Sequence, residues 1–242
     1  MPAFYLEMNR QTQLIVDAKQ YIGVLMRDND PSHDYSHVER VYNNAIYIAE
    51  KEKLNNPFID IDYTVLALAA LFHDVADFKY IQKECLDDVA RSRLIEFCNY
   101  YNHTINPEKI ERILHIVFNV SFRKELEEKS DIQHSIELKI VRDADRLEAI
   151  GAIGIGRCFG YSCVKQTPFY QADVKPVLNI SAEEYNNKTD GCKATSAYNH
   201  FYEKLLLLKD KMLTDTGKKM AEPRHNFMLL FLEQMMKEIN IS

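Results

Sequence analysis

The stretch Tyr63-Thr64-Val65-Leu66-Ala67-Leu68-Ala69-Ala70-Leu71-Phe72-His73-Asp74-Val75 decides the fold. It is apolar nearly all round, the mark of a helix buried at the centre of a domain and not laid across its surface. A His-Asp pair at the end of such a segment is conspicuous.

Outward from this helix the chain reads as one helix after another. Neither a hairpin signal nor a run of alternating apolar residues suggests a sheet, so the expected class is all α. Leu14, Ile15, Ala18, Tyr21, Ile22 and Leu25 recur at helical spacing and predict a first helix over about 4–26, with a break at 28–32. Ser36 and Glu39 stand three apart, as in a capping box, where hydroxyl and carboxylate each satisfy an orphan N–H. That start places His37 in the first turn of a helix whose core face is Val38, Val41, Ala45, Ile48 and Ala49, ending near Lys53. Further helices are expected over 88–101, over 107–119 with Asn106 as cap and Pro107 in the first turn, and over 135–150. A charged linker, 123–131, separates the last two.

Four of the seven glycines, Gly151, Gly154, Gly156 and Gly160, fall within ten positions. Each lowers helix propensity by about 1 kcal/mol relative to alanine. Close approach of helix backbones would compensate; a turn holding a phosphate on its N–H groups is the other reading. From Ser162 to Ser196 no period is visible, and the stretch holds Pro168, Pro176 and Gly191. A loop of that length is either a lid or a disordered insertion, and Lys165, Lys175 and Lys193 would give a lid charge to place near phosphates. Helices resume over 197–212 and 216–239. No repeat or linker divides the chain, which reads as a single domain over 1–242 with a motif core at 32–161, the loop at 162–196 and C-terminal helices at 197–240.

With 242 residues, 46% of them hydrophobic, the chain can bury a sizeable core. Thirty basic against 36 acidic residues leave no diffuse positive surface for a nucleic acid polymer. A polyanionic substrate would need a local positive site. Residues 1–10 lack the basic start and apolar run of a signal peptide, and no apolar stretch approaches the roughly 20 residues that span a bilayer, so a soluble cytoplasmic protein is expected. The five cysteines form no CxxC pair, which argues against a disulfide framework or a thiolate zinc site.

The chemistry lies in His37, His73, Asp74 and Asp145, on three helices from distant parts of the chain that can share an ion only if they pack together. Imidazole and carboxylate together suit a borderline divalent ion better than calcium, which takes oxygen ligands. Asp143 stands two residues before Asp145 and points to another face. The order H, then HD, then D, with Arg40-Val41 and the run from Asp143 to Arg157, resembles the HD-domain superfamily of metal-dependent phosphohydrolases over about 32–161.

The resemblance implies that His37, His73, Asp74 and Asp145 bind one divalent transition metal (Mn, Fe, Co, Ni or Zn, with Mn favoured). Water on such an ion loses its proton near neutral pH, and the ion polarises a phosphoryl oxygen. Asp77, one turn past the His-Asp pair, could orient the attacking water or shuttle its proton, or be an exposed acid. Arg40 and Lys79 suit phosphate contact, though Arg40 equally suits a structural ion pair and Lys79 an ordinary solvated position. His200, Lys204 and Arg224 resemble the tail of the small single-domain branch that includes nucleotide pyrophosphohydrolases; His200 and Lys204, four apart, can reach one ligand or form an ordinary charged face. Members of that branch often carry histidine then serine before the charged linker, where this chain reads Phe118-Asn119-Val120-Ser121-Phe122. The expected substrate is a phosphorylated small molecule, most readily a nucleoside triphosphate cleaved to monophosphate and pyrophosphate. A 5′-nucleotidase and a nucleotide-sensing module with little turnover are the alternatives.

Overall fold

In a computed structural model of the protein, which describes residues 3–75, 86–121, 124–125, 134–178 and 196–240, every regular element is a helix. The chain divides into two compact units. Met1–Asn29, His33–Val120 and His134–Val141 form the first, and Asp30–Ser32, Ser121–Gln133 and Arg142–Ser242 the second.

The first unit holds α1 (Ala3–Leu25), α2 (Tyr35–Asn55), α3 (Tyr63–Phe72), α4 (Leu86–Tyr100) and α5 (Pro107–Asn119), with the start of α6 (Ile136–Glu148). The all-round apolar segment is its centre. From Val65 to Phe72 every residue of α3 is buried, and the helix packs against α1, α2 and α5. Burying one Leu or Phe contributes roughly 1.5–3 kcal/mol, so this one helix supplies a large share of the unit's apolar stabilisation. Phe72 continues into an aromatic layer, 6.1 Å from the Tyr21 ring and 5.6 Å from Phe97.

Caps fix the ends that matter. Helix α2 does not begin with the expected box of Ser36 and Glu39: Asp34 is the N-cap, its carboxylate accepting from the His37 N–H at 3.1 Å, and Ser36 is exposed. The cap thus stands two residues before the expected one, and the third N–H that a cap must satisfy is that of His37 and not that of Glu39. Helix α3 starts on Asp62, which accepts from Thr64 N–H and Val65 N–H and pairs with Lys109 at 3.0 Å and Arg112 at 3.3 Å. Its own N–H donates to the buried Glu137 of α6 at 3.0 Å, so one residue joins α3, α5 and α6. Asn106 and Pro107 start α5 as the sequence suggests, Asn106 accepting from Glu108 N–H.

The second unit holds the end of α6, then α7 (Gly151–Lys165), α8 (Ala197–Glu203), a 3₁₀ helix (Leu205–Lys211) and α9 (Asp215–Ile239). Helix α7 packs on α8 and α9. The expected single helix over 197–212 is broken at Lys204, beyond which the buried Leu205 and Leu208, three apart, fit the three-residue period of a 3₁₀ turn. The glycine cluster divides in two. Gly151 has φ +74°, and a Cβ there would lie 2.9 Å from Arg224 Cβ; at Gly154 a Cβ would meet the Ala149 backbone at 2.3 Å. Gly156 and Gly160 face open space, so close approach to another helix accounts for Gly151 alone, and at Gly154 the crowding comes from the turn that precedes its own helix.

The long loop starts later than its composition suggests, because α7 runs on to Lys165 and closes on Gln166 at φ 54°. Residues 166–178 are then tied to α8. Ala197 N–H donates to Pro168 O, Tyr198 N–H to Phe169 O, and Val177 N–H to the Glu203 carboxylate. The remainder of the expected lid, 179–195, lies outside the described residues.

Candidate metal centre

Two helix ends bring three donor atoms together in the first unit. His37 occupies the third position of α2, its N–H held by Asp34, and its residue is 1% exposed. His73 ends α3, and Asp74 lies in the turn that follows, closed by Val75 N–H on Phe72 O. Adjacent residues within a helix would project about 100° apart. Past the helix end that constraint lapses, and both side chains reach one point.

The last carbonyls of a helix lack intrahelical partners. His73 meets one of them: Nδ1 lies 2.8 Å from Ala70 O. A carbonyl can only accept, so Nδ1 carries the proton and Nε2 of the neutral ring presents its lone pair. That Nε2 is 3.3 Å from His37 Nε2 and 3.4 Å from Asp74 Oδ2, and His37 Nε2 is 3.3 Å from the same oxygen. Burial pushes the Asp74 carboxyl up, but the His73 and His37 imidazoles outweigh it and hold it well below the ordinary carboxylate value. Two nitrogens and an ionised oxygen thus form a nearly equilateral triangle. Its sides fit an ion placed about 2.1 Å from each corner, the usual distance for nitrogen and oxygen ligands of a divalent transition metal. Among the described residues no other group of three His, Cys, Asp or Glu side chains meets this condition.

Asp145 belongs to the second unit, half-buried on α6 between two locked neighbours. Asp143 is fully buried and spent on structure, accepting from Leu213 N–H at 2.9 Å, Thr214 N–H at 2.8 Å and Thr214 Oγ1 at 2.7 Å. Burial raises its carboxyl, against the pull of those donors. Arg146, also buried, donates to the Glu125 carboxylate at 2.6 Å and to Lys211 O. Asp143 and Arg146 hold this part of α6 against the segments before α9.

Of the other named residues, Arg40 belongs to the first unit and His200, Lys204 and Arg224 to the second. Arg40 is half-buried on α2, one turn after His37. His200 on α8 and Lys204 just beyond it are half-buried, joined by Lys204 N–H on His200 O at 3.0 Å. Arg224 is partly engaged elsewhere: Nη1 donates to Leu147 O, its stem lies on Gly151, and burial lowers its guanidinium pKa despite Glu148 nearby. Asn119 turns its amide back to His115 O at 2.7 Å. Asp77 and Lys79 lie outside the described residues. Sequence reading did not find the Asp34 cap, the Ala70 carbonyl under His73 or the Asp143 hub; an acid just before a helix was the one available signal.

Residues 34–150 match the HD domain family model. The chain is 36% identical over 222 residues to the uncharacterized protein YpgQ of Bacillus subtilis, covering 91% of each. The crystal structure of YpgQ in complex with ADP superposes with a TM-score of 0.69 at 31% identity, covering 96% of this chain and 98% of that one. A Lactobacillus plantarum protein superposes with a TM-score of 0.77 at 28% identity, over 95% and 98% of the two chains. An HD-superfamily hydrolase of Bacillus thuringiensis gives 0.67 at 31% identity, over 96% and 100%. Among the described residues no helix is long and apolar enough to cross a membrane.

Proposed function

This chain belongs to the HD-domain superfamily of metal-dependent phosphohydrolases, and on that footing we propose that its substrate is a nucleotide and its reaction the cleavage of a nucleoside triphosphate to monophosphate and pyrophosphate. The observation that carries the nucleotide assignment is the ADP complex of YpgQ, a protein alike over 91% of this chain. The choice of pyrophosphate as leaving group rests on the resemblance to the small single-domain branch.

His37, His73 and Asp74 hold the divalent ion, with Asp145 as fourth ligand by the family's H…HD…D order. Manganese is the first choice among Mn, Fe, Co, Ni and Zn. When bound, the ion supplies positive charge that lowers the pKa of water and draws electron density from the phosphoryl group. The remaining work is done by side chains. The Ala70 carbonyl keeps the His73 ring in the tautomer that offers Nε2, as partners of metal-bound histidines generally do. Asp74 stays ionised under the two imidazoles. Asp77 accepts the proton of the attacking water. Arg40, Lys79, His200 and Lys204 place positive charge on phosphate oxygens, where charge builds during transfer. Arg224 offers the N–H groups it does not spend on Leu147.

Screening the manganese-reconstituted protein against nucleoside mono-, di- and triphosphates, with phosphate and pyrophosphate detected separately, tests this reading. Pyrophosphate from triphosphates is the expected product. Phosphate released from monophosphates would make the protein a 5′-nucleotidase, and tight nucleotide binding without turnover would make it a sensor.

A further inference from the structure

At the N-terminal end of α3, away from the metal triad, the first unit holds a cleft of about 580 Å³ between α1, α3 and the turn that joins α4 to α5. Thr64, the second residue of α3, lines it, roughly 13 Å along the helix axis from His73. Its volume lies in the range of small-molecule sites. Leu14 and Ile105 give it apolar contact, and nearly everything else that lines it is an amide, a hydroxyl or an imidazole.

The imidazole is that of His103, and it is held from several sides. Its backbone N–H donates to Cys98 O at 2.8 Å, its ring lies 5.6 Å from Phe97 and 6.4 Å from Tyr101, and Nε2 is 2.8 Å from Asp17 Oδ2. Asp17 is 8% exposed, on the face of α1 that carries the buried Leu14 and Ala18, where an acid is costly without partners. It accepts from Gln13 Nε2 at 2.9 Å as well. A carboxylate only accepts, so Nε2 of the neutral ring carries the proton and Nδ1 is left as an acceptor.

The amides are sorted in the same way. Gln13 commits its NH₂ to Asp17 and Gln11 donates to Thr64 Oγ1 at 3.4 Å, so each keeps its carbonyl oxygen as an acceptor. Asn106 commits its oxygen to Glu108 N–H and keeps its NH₂ as a donor, and Thr64, accepting from Gln11, keeps its O–H. Lys109 also lines the cleft, but its charge is paired with Asp62 at 3.0 Å. With the Asp17 carboxylate behind the histidine, the space offers mixed donors and acceptors and no surplus positive charge.

We propose that this cleft is a second binding site and that it takes the base of a nucleoside, a planar uncharged ring whose edge mixes N–H donors with carbonyl or ring-nitrogen acceptors. Gln11, Gln13 and His103 Nδ1 accept from that edge, Asn106 and Thr64 donate to it, and Leu14 and Ile105 cover the ring faces. An anion would meet three acceptors here and no free cation, which makes a bare phosphate the poorer occupant. The site lies wholly within the first unit and does not depend on the reaction assigned to the metal centre.

Isothermal titration of the full-length, manganese-loaded protein with adenosine, guanosine, cytidine and uridine tests it, since nucleosides carry no phosphate to engage the metal. The same titrations are made on Gln11→Ala, His103→Gln and His73→Ala. At least one nucleoside should bind the wild type, with affinity unchanged in His73→Ala. Gln11→Ala should lower that affinity about five-fold, the scale of one neutral hydrogen bond, and His103→Gln should lower it further. No binding of any nucleoside to the wild type would overturn the proposal. Binding that persists unchanged in Gln11→Ala and His103→Gln would overturn it too, as would binding that vanishes in His73→Ala, which would place the base at the metal centre. Should His103→Gln fail to fold, Gln11→Ala decides, because that side chain is exposed and its removal leaves no buried group unpaired.

Discussion

A histidine that spends Nδ1 on a helix-end carbonyl has only Nε2 left to offer, and at His73 that nitrogen meets His37 Nε2 and Asp74 Oδ2 within 3.4 Å. Two imidazole nitrogens and a carboxylate oxygen at that distance are a donor set that one divalent cation can join, so the residue scale is where metal dependence is tested. His73→Ala and Asp145→Ala should each lose metal by elemental analysis and lose hydrolysis, while the far-UV helical signal persists, because a site formed by several ligands needs all of them placed. Metal retained at wild-type occupancy in both would show the ligands to be misassigned. Asp77→Asn is the separable case: metal kept, kcat lowered by about 100-fold or more, the usual scale for losing a general base. An unchanged kcat would return Asp77 to the surface acids. At this scale the sequence was informative about residue types and their order. It was blind to the Ala70 carbonyl beneath His73, since a backbone acceptor leaves no trace in side-chain pattern.

At the scale of elements, apolar periodicity located the helices well, and their ends less so. Asp34 replaced Ser36 as cap because two capable residues stand within one turn and only backbone geometry chooses between them. The break at Lys204 was hidden for a related reason: Leu205 and Leu208 satisfy a three-residue period as well as a 3.6-residue one. Asp62 shows what an end can carry. Burial pushes its carboxyl up, yet Lys109, the Val65 N–H and Arg112 overcome this and leave its pKa lowered. A depressed carboxylate contributes stability at pH values above its unfolded pKa of about 3.9, and the contribution is lost as pH falls through the lower folded value. Asparagine still caps a helix, so Asp62→Asn removes the charge and keeps the cap. At pH 7 the variant should be less stable by about 1 kcal/mol, the scale of partly exposed ion pairs, and the gap should close as pH falls below about 4. Thermal melts between pH 7 and 3 read this directly; a gap independent of pH would show the loss to be one of geometry and not of charge.

For the whole molecule, the family was legible through the order of four residues in three distant segments, which composition and periodicity alone would have left as a buried histidine pair and some acids. The resemblance joined them, and the structure brings His37, His73 and Asp74 to one point in the first unit. Substrate recognition was less legible because Arg40, His200, Lys204 and Arg224 are types that serve equally as structural partners, as Arg224 does at Leu147. The most direct test strips the protein of metal with a chelator, restores manganese, and follows one nucleoside triphosphate by phosphorus NMR. No turnover in the stripped protein, and monophosphate with pyrophosphate in equal amounts after manganese is restored, is the predicted result. Turnover that survives chelation, or a restored enzyme that releases only inorganic phosphate, would contradict it.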